Sequence, residues 1–351
     1  MMGFFGVGST PRTREGAATG AVATRTLASE HPSAPIPVQG PAVGDAVRAP
    51  LGETGLQVFP LIVGGAEFGW HVDISAAHGI LDAYLERGGN ALNTSDSYSS
   101  GRSEHIIGEW MARRAARDSI VLGVRVGAHP DHSGLGSVNL IRSVEASLMR
   151  LKTDHIDVLY LDATAGTPAA LEDTLATAEW LVDSGKVRAL GAAGQTAAQL
   201  VEARILSSAG YPRVTVLDVP YNVLERDEFD GDTRLVAGAQ GIAVTPSRAL
   251  AHGYLAGAHR SRTQLGASVR GTQLAAVMNR RGTRTLRALD RIGEELAIAT
   301  GAVAIAWLLA QRTVVAPIVN VYAVRHVEEL MQGVGAKLSR SQLAEIEKAA
   351  Q

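Results

Sequence analysis

The chain has 351 residues, of which 46% are hydrophobic. It can therefore bury a large core, and single α/β barrels reach this length. Its net charge of −2 gives no electrostatic reason to expect nucleic acid or an anionic membrane as a partner, and its apolar runs fall far short of the ~20 residues that cross a bilayer. No cysteine is present, which excludes disulfides, thiolate metal ligands and a cysteine nucleophile.

Residues 1–45 are predicted to form a disordered N-terminal tail. Met1–Gly8 is apolar without a basic region before it, and Thr10–Asp45 is rich in Ala, Gly, Pro, Ser and Thr. This composition lacks the apolar periodicity that would offset the entropy cost of ordering. Acidic residues in the tail argue against a transit peptide. We expect a disordered cytoplasmic extension, or a misassigned start codon, followed by one domain over residues 46–351.

From Arg48 onward, short apolar runs alternate with segments of helical periodicity, such as Leu140, Val144, Leu148 and Leu151. This alternation predicts parallel strands joined by helical crossovers, and eight units favour a closed (β/α)8 barrel of the α/β class. A doubly wound sheet is the alternative, but no predicted strand is followed by the G-x-G-x-x-G fingerprint. The predicted strands are Leu61–Val63, Ala91–Asn93, Ile120–Val124, Val158–Leu161, Ala189–Ala192, Val216–Val219, Ile242–Thr245 and Val314–Ile318.

Several motifs resemble those of the aldo-keto reductases, and they cover nearly all of the chain after the tail. Asn93–Glu104 is similar to the second strand and following loop of that family. The resemblance implies a TIM barrel with an N-terminal hairpin and extra helices at the C-terminus. The other matching motifs are Leu51–Leu56, Gly101–Gly108, Ser143–Asp157, Ser184–Gly191, Ala302–Leu309 and Pro317-Ile318.

The resemblance also implies a catalytic tetrad of Asp, Tyr, Lys and His. In such a tetrad the Tyr gives the proton, the Lys held by the Asp lowers its pKa, and the His orients the carbonyl. The matching positions here are Asn93, Tyr98, Arg125 and Asp162, so only the Tyr is kept. An ionised carboxylate at 162 donates no hydrogen bond, and losing one such donor costs ~3–4 kcal/mol of transition-state stabilisation. We expect Arg125 and Asp162 to form an ion pair.

The cofactor that the resemblance implies is NADP(H), and the residues at its contact positions have changed. Ala193-Gly194 replaces a Ser-Asn pair that holds the nicotinamide carboxamide, Asp218 replaces a Gln, and Ser247 replaces the Tyr that stacks under the ring. We therefore expect NADP(H) to bind weakly, if at all. The family's phosphate loop matches only in part: Glu329 is kept, whereas Asn320 and Leu330 are changed. Arg325 or His326 could contact a phosphate, or each could be a solvated helix residue.

Two other constellations could carry chemistry. His129 and His132, with Asp162 and Asp218, could hold a divalent cation, but two solvent-facing loop histidines and no metal site are the preferred interpretation. Tyr98 and Asp162 could also form an acid–base pair for proton transfer without hydride.

Three functional hypotheses therefore remain. The first is a ligand-binding or regulatory pseudoenzyme built on the barrel. The second is an NAD(P)-dependent oxidoreductase that acts on a carbonyl or alcohol with an altered site, and the third is a non-redox acid–base enzyme. All three take a small molecule as ligand or substrate, and none requires nucleic acid or a membrane. The sequence identifies no protein partner.

Overall fold

A computed structural model describes the chain over residues 47–351, apart from 167, 168, 262–264 and 266–269. The predicted tail lies outside the described residues. The described chain begins with an antiparallel hairpin of β1, Ala49–Pro50, and β2, Gln57–Val58, as the family resemblance predicts. Leu51 and Val58 of this hairpin are buried in the same cluster as side chains from inside the barrel. The hairpin therefore closes the end of the barrel where the strands begin.

Eight parallel strands form one sheet in which each of the first six pairs with the next along the chain, and the eighth pairs with the first. Their near-continuous apolar sequences suit strands that are buried on both faces. This arrangement confirms the predicted (β/α)8 class. The strands are β3, Ile62–Gly64; β4, Ala91–Ser95; β5, Val121–Val126; β6, Ile156–Asp162; β7, Val187–Ala193; β8, Val214–Asp218; β9, Ala243–Val244; and β10, Ile318–Asn320.

The barrel closes through the segment that leads into β10. Ile318 is aligned with Ile62 of β3, while its backbone N–H donates to the carbonyl of Pro246 beyond β9 at 2.8 Å. The expected strand Val314–Ile318 is wrong in its bounds, because the ladder with β3 begins only at Ile318. The residues before it pair instead toward β9, through a bridge between Val314 and Val244.

Helices follow the strands and cover the outside of the sheet. Two of them begin with capping boxes, at Thr196 with Gln199 and at Ser339 with Gln342, a pattern that satisfies backbone N–H groups at a helix start. The helices are α1, Ile74–Glu86; α2, Arg102–Arg114; α3, Ser137–Leu151; α4, Leu171–Asp183; α5, Ala197–Ser208; α6, Asp232–Gln240; α7, Gly271–Val277; α8, Arg280–Leu296; α9, Thr300–Leu309; α10, Val324–Gly335; and α11, Arg340–Ala349.

Extra helices follow the last two strands, as the family resemblance predicts. Helices α7 to α9 lie between β9 and β10, and α11 follows α10, which packs on α1 and α9. Within the described part of the chain, no single helix has the length and apolarity to cross a membrane. Helices α8 and α9 meet that criterion only as a pair, and the pair is bent by 96°.

The alternation of side chains along β6 separates the two faces of the sheet. Leu159 and Leu161 pack in the large outer cluster with helix residues, whereas Val158 and Tyr160 lie in the interior cluster. This follows from the two-residue period of a strand. It also directs Asp162, two residues after Tyr160, toward the inside of the barrel at the carboxyl end of the strand.

Two glycines make room for the Tyr160 ring inside the barrel. A Cβ at Gly191 would lie 2.6 Å from Tyr160 Cδ1, and a Cβ at Gly123 would lie 2.9 Å from its Cε2. The Tyr160 hydroxyl meets Thr245 Oγ1 at 3.1 Å. The ring thus fills the barrel interior beneath the strand ends.

Candidate functional site

A cavity of about 610 Å³ opens at the carboxyl ends of the strands. This is where parallel α/β barrels place their chemistry. Tyr98 and Arg125 line it, and so do Asp218 and Ser247 from the predicted cofactor positions. Further lining residues come from the loops above, among them Trp70, Thr164, Gly194, Glu228, Arg248, His252, Arg270 and Tyr322.

Arg125 lies between two buried carboxylates. Its Nε is 2.7 Å from Asp162 Oδ2, and its Nη1 is 3.5 Å from Asp218 Oδ2. The predicted pairing of Arg125 with Asp162 is therefore confirmed, while the contact with Asp218 was not foreseen. Burial alone would lower the pKa of Arg125, but Asp218 and Asp162, with Tyr98, hold that pKa above its ordinary value. The guanidinium is permanently charged and balances one of the two carboxylates.

Asp162 is completely buried and does not line the cavity. Its Oδ2 accepts from Arg125, while its Oδ1 accepts from the backbone N–H of Thr164 at 2.9 Å and from Thr164 Oγ1 at 2.5 Å. Both carboxylate oxygens are therefore engaged by donors. This arrangement does not favour the acid–base role with Tyr98, which stays a hypothesis from the sequence.

Asp218 is the carboxylate that faces the cavity. It ends β8, and only 4% of its area is exposed. Burial raises the pKa of Asp218, and the nearby Arg125 and the Ser247 hydroxyl oppose that shift. Its Oδ1 is buried with no hydrogen-bond partner among the described residues. Removing such a group from water without a partner is costly, so this oxygen is available to a donor from outside the protein.

Tyr98 lies half-buried at the cavity wall, on a turn between β4 and α2. Ser99 and Ser100 adopt left-handed backbone conformations, with φ of 50° and 55°. Left-handed conformations are uncommon for residues other than glycine. The Ser99 Oγ hydroxyl donates to the Phe68 carbonyl at 3.2 Å, which stabilises the turn. Burial raises the pKa of the Tyr98 phenol, while Arg125 acts to lower it.

Asn93, at the position of the family's Asp, is buried within β4 and lies outside the cavity lining. Its Nδ2 has no hydrogen-bond partner in the described part of the chain. Among the ion pairs of the described residues, Arg125 is held by Asp162 and Asp218. The carboxylates that contact Arg125 thus stand on the fourth and sixth barrel strands, whereas the resemblance implies one on the second.

A second buried charge lies above the strand ends. Glu67 is fully buried and pairs with Arg270, and it also contacts His71 Nδ1 at 2.7 Å. Sequence analysis missed this pair, because the two residues are far apart in the chain and neither lies in a recognisable motif. The pair ties the loop after β3 to the segment before α7.

The residues that match the family's phosphate loop differ in their positions. Arg325 and Glu329 are exposed on α10 and do not line the cavity, so their contact with a cofactor stays a prediction. Leu330 is buried in the core. Asn320 does reach the cavity wall, and its Oδ1 accepts from the Ala66 backbone N–H at 3.3 Å.

The histidine pair after β5 is packed rather than solvent-facing. His129 is 6% exposed and stacks on His132, with ring centroids 4.3 Å apart. Burial, followed by the neighbouring His129, lowers the pKa of His132. Among the described residues, no group of three or more His, Asp or Glu side chains is arranged to hold a metal ion. The expectation of solvent-facing histidines is wrong, because the rings bury each other.

Comparisons with known proteins agree with this fold. The profile of the aldo/keto reductase family matches residues 60–351. The chain belongs to the aldo/keto reductase family. It is 32% identical over 322 residues to the aldo-keto reductase ausK of Aspergillus calidoustus, covering 84% of this chain and 79% of that protein. It is 28% identical over 319 residues to norsolorinic acid reductase stcV of Emericella nidulans, covering 86% and 80%.

Aldo/keto reductases generally use a nicotinamide cofactor, and two of its expected contact positions, Asp218 and Gly194, offer fewer contacts than the family's residues. An ionised Asp218 can accept a hydrogen bond from a carboxamide N–H group but cannot donate one to the carboxamide oxygen, whereas a Gln can do both. A side chain at Gly194 would place its Cβ 2.1 Å from Thr164 Cγ2, and the φ of Gly194 is +66°. The Asn that the family carries there is therefore excluded while Thr164 holds its present position.

Proposed function

We propose that this aldo/keto reductase barrel binds a small molecule in the cavity without transferring hydride. One observation carries the proposal: Asp162, Thr164 and Gly194 form a mutually dependent set. Thr164 donates twice to Asp162, at the position of the family's carbonyl-orienting His. The methyl group of the same Thr164 occupies the space that a side chain at Gly194 would need. The change in the tetrad and the change in the cofactor contacts thus support each other.

The electrostatics of the cavity support the same proposal. A carbonyl oxygen gains negative charge as hydride is transferred, and donors aimed at it supply most of the stabilisation. The site instead has two buried carboxylates, Asp162 and Asp218, around the single guanidinium of Arg125. The excess negative charge opposes an oxyanion. A cavity whose charges oppose a developing oxyanion is better suited to binding a small molecule than to reducing a carbonyl group.

The test is a titration of the purified protein with NADPH, followed by nicotinamide fluorescence, together with a carbonyl-reduction assay. We expect a dissociation constant weaker than micromolar and no turnover. A submicromolar dissociation constant with carbonyl reduction by the wild type would overturn the proposal. A variant that combines Asp162→His, Arg125→Lys and Asn93→Asp restores the family's residue types. We expect this variant to bind NADPH weakly, and its affinity to rise only when Thr164→Ala and Gly194→Asn are added.

A second candidate is an NAD(P)-dependent oxidoreductase acting on a carbonyl or alcohol. It is favoured by Tyr98, which keeps the family's proton-donor position and lines the cavity beside Arg125, whose charge acts to lower the phenol pKa. The relatives are named as reductases. Under this hypothesis Tyr98→Phe removes a measurable wild-type reductase activity, whereas under the first there is none to remove.

A further inference from the structure

We infer that the cavity takes a ligand with a protonated amine on an aromatic or otherwise apolar body, and that the carboxylate of Asp218 binds the ammonium group. This inference rests on the proposed ligand-binding function and names the chemical class of the ligand. Three features of the cavity carry it: the position of Asp218, the balance of charge around it, and the aromatic side chains at the rim.

The position of Asp218 gives a built site for a donor. The side chain lines the cavity, is 4% exposed, and leaves Oδ1 buried with no hydrogen-bond partner among the described residues. Its other oxygen is 3.5 Å from Arg125 Nη1, a longer contact than the 2.7 Å between Arg125 and Asp162. Arg125 is thus held mainly by Asp162, and its ion pair with Asp218 is the weaker of the two.

The balance of charge favours a cation over a neutral donor. With both carboxyls ionised, Arg125, Asp162 and Asp218 together carry one positive and two negative charges, and Arg125 is the ion-pair partner of Asp218 in the described part of the chain. A buried charge without full compensation is costly. An ammonium group beside Asp218 would bring the cluster to neutrality and hydrogen-bond the unpartnered oxygen in one step.

The two other arginines of the cavity already face carboxylates, and burial lowers the pKa of the lining His252, so these groups do not reverse this balance. Arg270 pairs with the buried Glu67, and Arg248 Nη1 lies 4.0 Å from Glu225 and 3.9 Å from Glu228. The charge left over in the cavity is therefore negative and is centred on Asp218.

The rim of the cavity provides the apolar part of the site. Trp70 and Tyr322 line it with 56% and 45% of their area exposed. Large exposed aromatic side chains bordering a polar pocket are typical of binding sites, and their rings attract cations as well as apolar surface. Leu250, Ile318 and Val319 continue this surface inward. A ligand with an aromatic body at the rim and an ammonium group at Asp218 matches this distribution.

The experiment compares three indole compounds by isothermal titration calorimetry with the full chain at neutral pH. Tryptamine is a cation, tryptophol is its neutral hydroxyl counterpart, and indole-3-acetate is an anion. We expect tryptamine to bind about tenfold or more tightly than tryptophol, the ratio typical of one charge-assisted hydrogen bond, and indole-3-acetate to bind weakest. Equal binding of the three compounds, or no tryptamine binding at millimolar concentration, would overturn the inference.

A matched pair of variants assigns the preference to one carboxylate. Asp218→Asn keeps the shape of the side chain and removes its charge, so the preference for tryptamine should disappear while tryptophol binding persists. Asp118→Asn removes the same charge from an exposed residue before β5, at the opposite end of the barrel, and should change nothing. A preference that survives in a folded Asp218→Asn protein contradicts the inference. Should that variant not fold, the comparison of the three ligands on the wild type still decides.

The two proposals fail separately. If the wild type reduces carbonyls with NADPH but still prefers tryptamine, the proposed function falls and the cation site stands. If the protein binds tryptophol or indole-3-acetate as tightly as tryptamine and shows no turnover, the cation site falls and the ligand-binding function stands.

Discussion

Replacing Arg125 tests whether this side chain neutralises the buried carboxylates. Arg125→Met removes the guanidinium and keeps much of the aliphatic length of the side chain. Asp162 is fully buried and Asp218 is 4% exposed, and Arg125 contacts both. The variant therefore leaves two buried carboxylates without their shared cation. Because Met keeps much of the aliphatic packing of Arg125, the main change in this variant is the loss of the charge.

The magnitude follows from the burial of the charges. Removing one partner of a buried ion pair typically costs ~3–5 kcal/mol of unfolding free energy, because the other charge is left uncompensated. The Arg125 side chain is 27% exposed, so part of its charge is already solvated. We therefore expect a loss of about 3 kcal/mol at neutral pH, at the lower end of that range.

The loss should also depend on pH, with a sign fixed by the carboxylates. Burial already raises the pKa of Asp218 with Arg125 present, and without that cation this pKa rises further above its unfolded value. The folded variant then binds a proton at Asp218 more readily than the unfolded chain. Its destabilisation is full above the raised pKa and shrinks as pH falls through it. Tyr98, which also faces the cluster, stays neutral in this range because burial raises its pKa.

The assay is urea unfolding of wild type and variant at pH 7.5 and pH 5. Arg87→Met is the matched control, because Arg87 pairs with Glu328 and both are more than 40% exposed. An exposed ion pair contributes only ~0–1 kcal/mol. If Arg125→Met costs no more than Arg87→Met, or costs the same at both pH values, then Arg125 does not neutralise these carboxylates. Adding Asp218→Asn to Arg125→Met should restore part of the lost stability.

Three further predictions concern the scaffold. Limited proteolysis should trim residues 1–45 and leave a core that melts at the same temperature, and a markedly lower melting temperature would contradict the predicted tail. Gly108→Ala in α2 would place a Cβ 2.5 Å from the Arg150 carbonyl oxygen, so thermal unfolding should show clear destabilisation. Its control, Gly79→Ala in α1, would make only an ordinary 3.8 Å contact and should be neutral or stabilising by up to about 1 kcal/mol. Leu51→Ala should cost ~2–5 kcal/mol in urea unfolding, because Leu51 is 1% exposed in the barrel interior; a cost below 1 kcal/mol would show that the hairpin does not seal the core.

The sequence by itself determined the barrel and the pairing of Arg125 with Asp162. Buried parallel strands need near-continuous apolar runs, and helical crossovers need apolar residues at the helical period of about 3.6 residues. Both patterns can be read directly from the sequence. Arg125 and Asp162 stand near the carboxyl ends of consecutive strands, β5 and β6, which are neighbours in the sheet. Adjacent parallel strands bring such residues to one edge, and no distant contact is needed to predict this.

Only the tertiary structure decided which polar groups face the cavity. The contact of Arg125 with Asp218 spans nonadjacent strands, and the exclusion of a side chain at Gly194 by Thr164 depends on the conformation of two loops. Sequence spacing specifies the face of a strand but not the distance across a barrel or the course of a loop. For the same reason, the sequence made Asp162 a candidate proton carrier. In the folded chain both of its oxygens accept hydrogen bonds from Arg125 and Thr164, and Asp218 lines the cavity instead.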